Sequence, residues 1–261
     1  MEKPVLFKIE DHILIITLNR PEKKNAITNE MYALISESLI DAGNNPDVRA
    51  VFLSARGDAF SSGNDLKDFA AVNRGEAKEI AERPVAKFLR TMVTFEKPVV
   101  AAVKGLAVGI GATMLLHCDL VYAGQSATFH LPFIQLGLVP EFASSRLLPR
   151  LAGKAQASAA LLLGEPFNAQ TAKEMGLINE ILEGDKLEKH AYGKCLKLAG
   201  MPPKSLRTIK ALLTPPEDRQ RILDTIAKET KIFGECLKSE EHREALSAFF
   251  EKRKPDFSKF S

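Results

Sequence analysis

Gly105-Leu-Ala-Val-Gly-Ile-Gly-Ala-Thr113 is the stretch whose reading decides the fold of this chain. It is a small-residue turn that follows the apolar run Val99–Val103 and leads into a helical pattern. Upstream, Phe60-Ser-Ser-Gly-Asn-Asp-Leu66 stands in the same relation to the run Ala50–Ser54. Glycine is used where a backbone approaches something closely or takes positive φ. Two such turns, each at a strand end, could aim two free N–H groups at one point, an arrangement that stabilises an oxyanion such as a thioester enolate. From the spacing of the glycines alone, two ordinary strand-to-helix turns are the favoured reading. Neither a G-x-G-x-x-G nor a Walker pattern is present, which disfavours a nucleotide-phosphate loop.

Outward from these turns the chain alternates. Residues 4–10 and 12–18 read as two strands around Asp11-His12, and Asn19–Asn25 reads as a polar loop containing Pro21. Thr28 then caps a helix with Met31, Leu34, Ile35, Leu39 and Ala42 on one face, ending near Gly43–Pro46. Residues 67–96 are charged and mostly helical in pattern, 109–117 form a short buried helix, and Leu120–Ala123 form another strand. The pattern predicts a helix opening at Val139-Pro140-Glu141 and running to about Leu151. From Leu187 onward helix follows helix, broken at Met201-Pro202-Pro203 and Thr214-Pro215-Pro216. An α/β core over residues 1–200 and a helical C-terminal region over 201–261 are expected. That region carries Ile222, Ile226, Ile232, Phe233, Leu237, Leu246, Phe249 and Phe250, which suit either an oligomer interface or packing within the chain.

Composition excludes several classes. With 45% hydrophobic and 26% charged residues among 261, the chain has the balance of a soluble globular protein. A net charge of +3 with no interleaving of basic and aromatic residues gives no reason to expect nucleic acid. Cys118, Cys195 and Cys236 lack metal or disulfide spacing. No basic-then-apolar leader opens the sequence and no apolar run reaches the ~18 residues of a membrane span, so a cytoplasmic protein without membrane partners is expected.

Among possible acids and bases, His12, His190 and His242 read as solvated, and His117 and His130 as hydrogen-bonded core residues. None pairs with a serine or cysteine in a nucleophile motif. Glu141 is the only carboxylate between Asp119 and Glu165. Its position after a proline at a helix start suits an acid that offsets the helix dipole. Its neighbours Leu136, Leu138, Val139 and Phe142 equally suit a desolvated carboxylate with raised proton affinity, fit for general-base work. Asp65 reads as the cap of a helix beginning near Leu66, and Asp119 as hydrogen-bonded at a strand start. Arg20, Lys23 and Lys24 form a cationic loop, either solvated or in contact with phosphate.

Taken together, Leu18–Pro21 with Asn25-Ala26, Phe60–Leu66, Lys97–Val103, Gly105 with Gly109-Ile-Gly111, Cys118–Ala123, Leu136-Gly137 with Pro140, and Ala169–Ala172 before Met175-Gly176-Leu177 resemble the crotonase (enoyl-CoA hydratase/isomerase) superfamily. The likeness runs from about residue 5 to 210. It implies a crotonase-like (ClpP/crotonase) spiral of ββα units with a helical C-terminal trimerisation region, hence a homotrimer or a dimer of trimers. It also implies an acyl-CoA thioester substrate with no separate cofactor, coenzyme A being part of the substrate. Carried over by motif, the backbone N–H groups of Asn64 and Ile110 polarise the thioester carbonyl. Lys24, Ala26, Ser62, Gly63, Asn64, Asp65, Leu66, Gly109 and Ile110 line the substrate site.

The resemblance also discriminates among reactions. Hydratases of this superfamily carry two glutamates, at positions that correspond here to Thr113 and Phe133. Neither residue can ionise usefully, which argues against water addition. Glu141 stands instead where the peroxisomal-type Δ3,Δ2-enoyl-CoA isomerases place a single catalytic glutamate. The expected activity is therefore movement of a 3-enoyl-CoA double bond to the 2-trans position in fatty acid β-oxidation. Another acyl-CoA enzyme of the fold (a thioester hydrolase or a pathway-specific isomerase) and a non-catalytic acyl-CoA or protein-binding module are the alternatives.

Overall fold

The computed structural model describes residues 3–65 and 83–260. Its centre is a six-stranded sheet in the order β1-β2-β3-β4-β6-β9, comprising β1 (Val5–Glu10), β2 (Ile13–Leu18), β3 (Ala50–Ala55), β4 (Val99–Val103), β6 (Leu120–Gly124) and β9 (Glu180–Leu182). The hairpin β1–β2 is antiparallel and every later neighbour pairs in parallel. A second sheet joins β5 (Leu106–Val108), β7 (Thr128–His130) and β8 (Phe167–Asn168). Consecutive strands thus step from one sheet to the other, β4 to β5 and β6 to β7. This is the repeated strand–strand–helix layout that the resemblance implies.

Both faces of the large sheet are covered, which explains why β3 and β4 read as unbroken apolar runs rather than alternating ones. On one face Val51, Leu53 and Val99 meet Met31, Ile35 and Leu39 of α1 (Asn29–Asn44) and Phe88 and Met92 of α2 (Pro84–Thr94). On the other face Phe52, Val100 and Tyr122 meet Leu187, Ala191 and Cys195 of α6 (Gly184–Ala199). Thr28 caps α1 as expected, its side chain accepting from the Met31 amide at 3.3 Å. The other end of α1 is closed from a distance: buried Lys97 donates to the carbonyls of Ala42 and Asn45 at 2.5 and 2.7 Å.

Three features depart from the expectations. The stretch 105–113 is not all turn: Leu106–Val108 is β5, and the short helix α3 (Ile110–Thr113) follows directly. The helix expected to open at Glu141 begins at Ser144 instead. This helix, α4 (Ser144–Ser158), breaks its geometry at Gly153, where φ is 76°. His242 is fully buried rather than solvated and donates to the Leu136 carbonyl at 2.7 Å. Of the C-terminal apolar residues, Ile222, Ile226, Phe233, Leu237 and Leu246 are buried within the chain. Phe249 and Phe250 of α9 (Glu240–Glu251) remain exposed, as do Ile209, Leu212 and Leu213 of α7 (Pro203–Leu213). No helix among the described residues is long and apolar enough to cross a membrane.

Candidate active site

The two glycine turns meet. Ser61 pairs with Ala107 as an isolated parallel bridge, the Ser61 amide donating to the Leu106 carbonyl and the Val108 amide to the Ser61 carbonyl, each at 2.9 Å. The approach is close enough that a Cβ on Gly63 would lie 2.9 Å from the Val108 carbonyl oxygen, and one on Gly111 would lie 2.9 Å from both Cβ and the carbonyl oxygen of Ser61. Gly63 also takes φ of +92° and Gly109 of +53°, which L side chains rarely adopt. Asn64 follows the first of these glycines and Ile110 the second. Among the described residues, neither amide is a donor in the loop and turn hydrogen bonds. The two N–H groups singled out from the sequence thus belong to backbones in direct contact.

The loop around residues 20–26 is locked onto the first turn through Asn25, which is fully buried. Its side chain accepts from the Arg20 amide at 2.7 Å and donates to the carbonyls of Arg56 and Ala59 at 2.8 Å, while its own carbonyl accepts from the Ser61 hydroxyl at 2.9 Å. The Ser62 amide donates to Lys24 O at 2.8 Å, and Ile27 and Asp65 exchange contacts with the turn through Gly63 O and Ile27 O. Arg20 is not a free cation of this loop. It donates to the Ala26 carbonyl at 2.6 Å and pairs with Asp65 at 3.2 Å, whereas the helix that Asp65 is expected to cap lies outside the described residues. Lys23 and Lys24 remain exposed. Ser62, Gly63, Asn64 and Asp65 lie along this one seam with Lys24 and Ala26, whereas Leu66 lies outside the described residues.

Glu141 lies three residues before the first residue of α4 and does not cap it. Phe142 and Ala143, with φ of 61° and 56°, turn the chain between them. The exposed amides at the start of α4 are satisfied instead by Glu229 of α8 (Pro216–Cys236), whose carboxylate accepts from Ala143 N at 2.5 Å, from Ser145 N at 3.1 Å and from the Ser145 hydroxyl. A structural explanation for Glu141 as a helix-end acid is thereby removed, because another carboxylate fills that place. Burial pushes the Glu141 carboxyl up to about 8, the charge of Glu229 pushes in the same direction, and a hydrogen bond from the Asn64 side chain opposes both. Its Oε1 is buried and has no hydrogen-bond partner among the described residues. Phe133, Leu138 and Phe142 nearby in sequence are all buried.

Of the remaining candidates, His117 and His130 are hydrogen-bonded inside the fold, donating to Phe142 O at 2.8 Å and Gly164 O at 2.7 Å. Burial lowers His117 to about 4, so it is neutral. Asp119 accepts from the Val99 amide and from Lys210, both at 2.7 Å, at the start of β6. Cys118 is a core thiol pushed up to about 12 by burial. Thr113 is fully buried and Phe133 nearly so, and neither offers an ionisable group. No cluster of metal-binding side chains occurs among the described residues.

Sequence reasoning passed over Tyr32 and Glu229. Tyr32 donates its hydroxyl to Asn64 Oδ1 at 2.6 Å. Glu229 had a legible signal: with Ile222, Ile226 and Phe233 it forms the buried stripe of α8, so it is a carboxylate at a core position.

Comparison with known proteins gives the family. Residues 8–259 match the family model described as enoyl-CoA hydratase/isomerase. The chain is 41% identical over 217 residues to enoyl-CoA delta isomerase 2 of Rattus norvegicus, covering 82% of this chain but only 55% of the rat protein. It is 34% identical to 1,2-epoxyphenylacetyl-CoA isomerase of Escherichia coli strain K12, over 97% of this chain and 98% of that one. Among solved structures, an enoyl-CoA hydratase/isomerase from Pseudoalteromonas atlantica T6c superposes with a TM-score of 0.92 at 39% identity, covering 98% of this chain and all of that one. The chain belongs to the enoyl-CoA hydratase/isomerase (crotonase) family of acyl-CoA enzymes.

Proposed function

We propose that the protein is a Δ3,Δ2-enoyl-CoA isomerase, moving the double bond of a 3-enoyl-CoA to the 2-trans position for β-oxidation. Glu141 removes a proton from C2, and the electron pair spreads over the dienolate onto the thioester oxygen. The amides of Asn64 and Ile110 hold that oxygen. The same carboxyl then delivers the proton to C4, so no water, oxidant or second acid is consumed. The observation that carries this reading is the state of Glu141: its Oε1 is buried without a hydrogen-bond partner among the described residues, Glu229 fills the helix-end place it would otherwise serve, and burial raises its proton affinity. A base with affinity near the working pH is suited to carry a proton both ways. Water addition needs a second acid, and Thr113 and Phe133 supply none. Assembly as a trimer or a dimer of trimers belongs to the same reading, supported by the exposed apolar side chains of α7 and α9.

The test is turnover of a trans-3-enoyl-CoA, followed by the absorbance of the conjugated thioester, with wild type and Glu141→Gln side by side. Conversion by wild type and loss of most of the rate in the variant are expected. Binding of the ester by both proteins without conversion would overturn the reading in favour of a thioester hydrolase or a binding module.

A further inference from the structure

The backbone that carries Glu141 is held in an unusual conformation. Phe142 and Ala143 are consecutive non-glycine residues in the left-handed region, and such conformations persist where the surroundings over-determine them. On one side of this turn His117 stacks on the Phe142 ring, centroids 3.9 Å apart and planes 21° apart, and donates to the Phe142 carbonyl. Next to it the Ser144 hydroxyl and amide donate to the Glu141 carbonyl at 2.6 and 3.1 Å. On the far side Glu229 takes the amides of Ala143 and Ser145 and the Ser145 hydroxyl. Both Glu229 oxygens accept from N–H donors, as an ionised carboxylate does. It is 6% exposed, on a helix stripe where an apolar side chain would pack without the cost of burying a charge.

We propose that Glu229 is a positioning residue for Glu141: by holding the amides of Ala143 and Ser145 it fixes the left-handed turn that aims the Glu141 carboxyl at the bound thioester. This inference rests on Glu141 being the proton carrier. A second consequence follows from charge. After burial, Glu229 is the larger influence that raises the proton affinity of Glu141, with the Asn64 hydrogen bond opposing it. The other titratable group at the turn, His117, carries no charge. Burial also raises the proton affinity of Glu229 itself, and the hydrogen bonds from Ser145 and the Ala143 amide oppose that rise. One residue therefore holds the turn that carries the base and adds to its basicity beyond what burial does.

Glu229→Gln removes the charge and keeps one of the two oxygen acceptors, its NH2 facing the other backbone amide, whereas Glu229→Ala removes the charge and both acceptors. With a trans-3-enoyl-CoA, Glu229→Gln is expected to move the acid limb of the kcat/KM profile to lower pH by ~0.5–1 unit, with KM within about twofold. Glu229→Ala is expected to lose ~10- to 100-fold in kcat at little-changed KM, as misplacement of a reacting group does. Glu229→Gln, which keeps one acceptor, should recover part of that loss. An unmoved acid limb in Glu229→Gln, or equal effects of both variants on KM and kcat, overturns the inference. Should Glu229→Ala fail to fold, the Glu229→Gln profile decides alone. Titration of 13C-labelled glutamate carboxyls, with Glu141 assigned through Glu141→Gln, needs no turnover. A lower Glu141 pKa in Glu229→Gln supports the coupling even if wild type does not convert the substrate, and an unchanged one overturns it.

Discussion

The Tyr32 hydroxyl donates to Asn64 Oδ1 at 2.6 Å and so fixes which end of the Asn64 amide faces Glu141. With its oxygen occupied, the side chain offers Glu141 its N–H donors, and that hydrogen bond favours the ionised carboxylate. Asn64 therefore serves the site twice, by its backbone N–H and by its side chain. Asn64→Ala separates the two, since the backbone amide survives. The acid limb of the pH–rate profile should move upward, and kcat near pH 7 should fall ~10- to 100-fold. Tyr32→Phe should act in the same direction with smaller amplitude. A profile unchanged in both variants would refute the role of the side chain.

Glu141 also makes stability depend on pH. Its folded value of about 8 lies above the ordinary carboxyl value of 4.5, so between those limits the native state holds a proton that the unfolded state has released. Native stability accordingly falls as pH rises through this window, by up to about 1.4 kcal/mol per pH unit. Glu141→Gln removes that dependence. Thermal unfolding at pH 5 and pH 8 should show the variant gaining on wild type at the higher pH, while losing isomerase turnover. A Tm difference that does not change with pH would contradict the burial of the charge.

His117 predicts the opposite slope on the acid side. Its folded value of about 4 lies below the ordinary imidazole value of 6.5, so the unfolded state takes up a proton first as pH drops. Stability should fall by up to about 1.4 kcal/mol per pH unit from pH 6.5 towards 4. His117→Gln, which does not titrate, should flatten that limb when unfolding is followed by denaturant at several pH values.

The fold was legible where local chemistry and tertiary demand agree. The runs Ala50–Ser54 and Val99–Val103 are apolar on both faces because α1 and α2 cover one side and α6 the other. The glycines at 63 and 109 announced positive φ, and the prolines at 203 and 216 announced helix starts. The strands β5, β7, β8 and β9 were invisible because two or three residues cannot display a period of two. The start of α4 was misplaced because Phe142 and Ala143 adopt left-handed conformations that neither residue type signals. The site was legible as two turns and one acid. Its supports were not: Tyr32 and Glu229 reach it across 32 and 86 residues, and no local pattern records such contacts.

Asn25, fully buried, makes one hydrogen bond within the loop at 20–26, with the Arg20 amide, and three that tie this loop to Arg56, Ala59 and Ser61 of the first glycine turn and its approach. Asn25→Ala removes the three made by the side chain and leaves the Arg20 amide and the Arg56 and Ala59 carbonyls without them. At about 1–3 kcal/mol for a buried group left unsatisfied, a loss of ~3 kcal/mol is expected after partial relaxation. Because Lys24 and Ser62 are joined through this loop, affinity for the coenzyme A ester should fall with it. Denaturant unfolding and ester binding by calorimetry check the two parts separately.

Gly111 tests whether the contact between the turns, rather than the turns themselves, organises the site. It lies inside α3 with no positive φ, so alanine there meets no backbone strain and is favoured as a helix residue by about 1 kcal/mol. Its new Cβ would nevertheless fall 2.9 Å from Cβ and the carbonyl oxygen of Ser61. The carbonyl is backbone and is engaged by the Val108 amide, so relief requires the two turns to move apart. Asn64 and Ile110, one on each turn, would separate with them. A displacement approaching 1 Å at a reacting centre costs on the order of 100-fold in rate. Gly111→Ala should therefore lower kcat strongly while leaving Tm within a few degrees, whereas an unaltered kcat would mean that the two amides do not act on one oxygen.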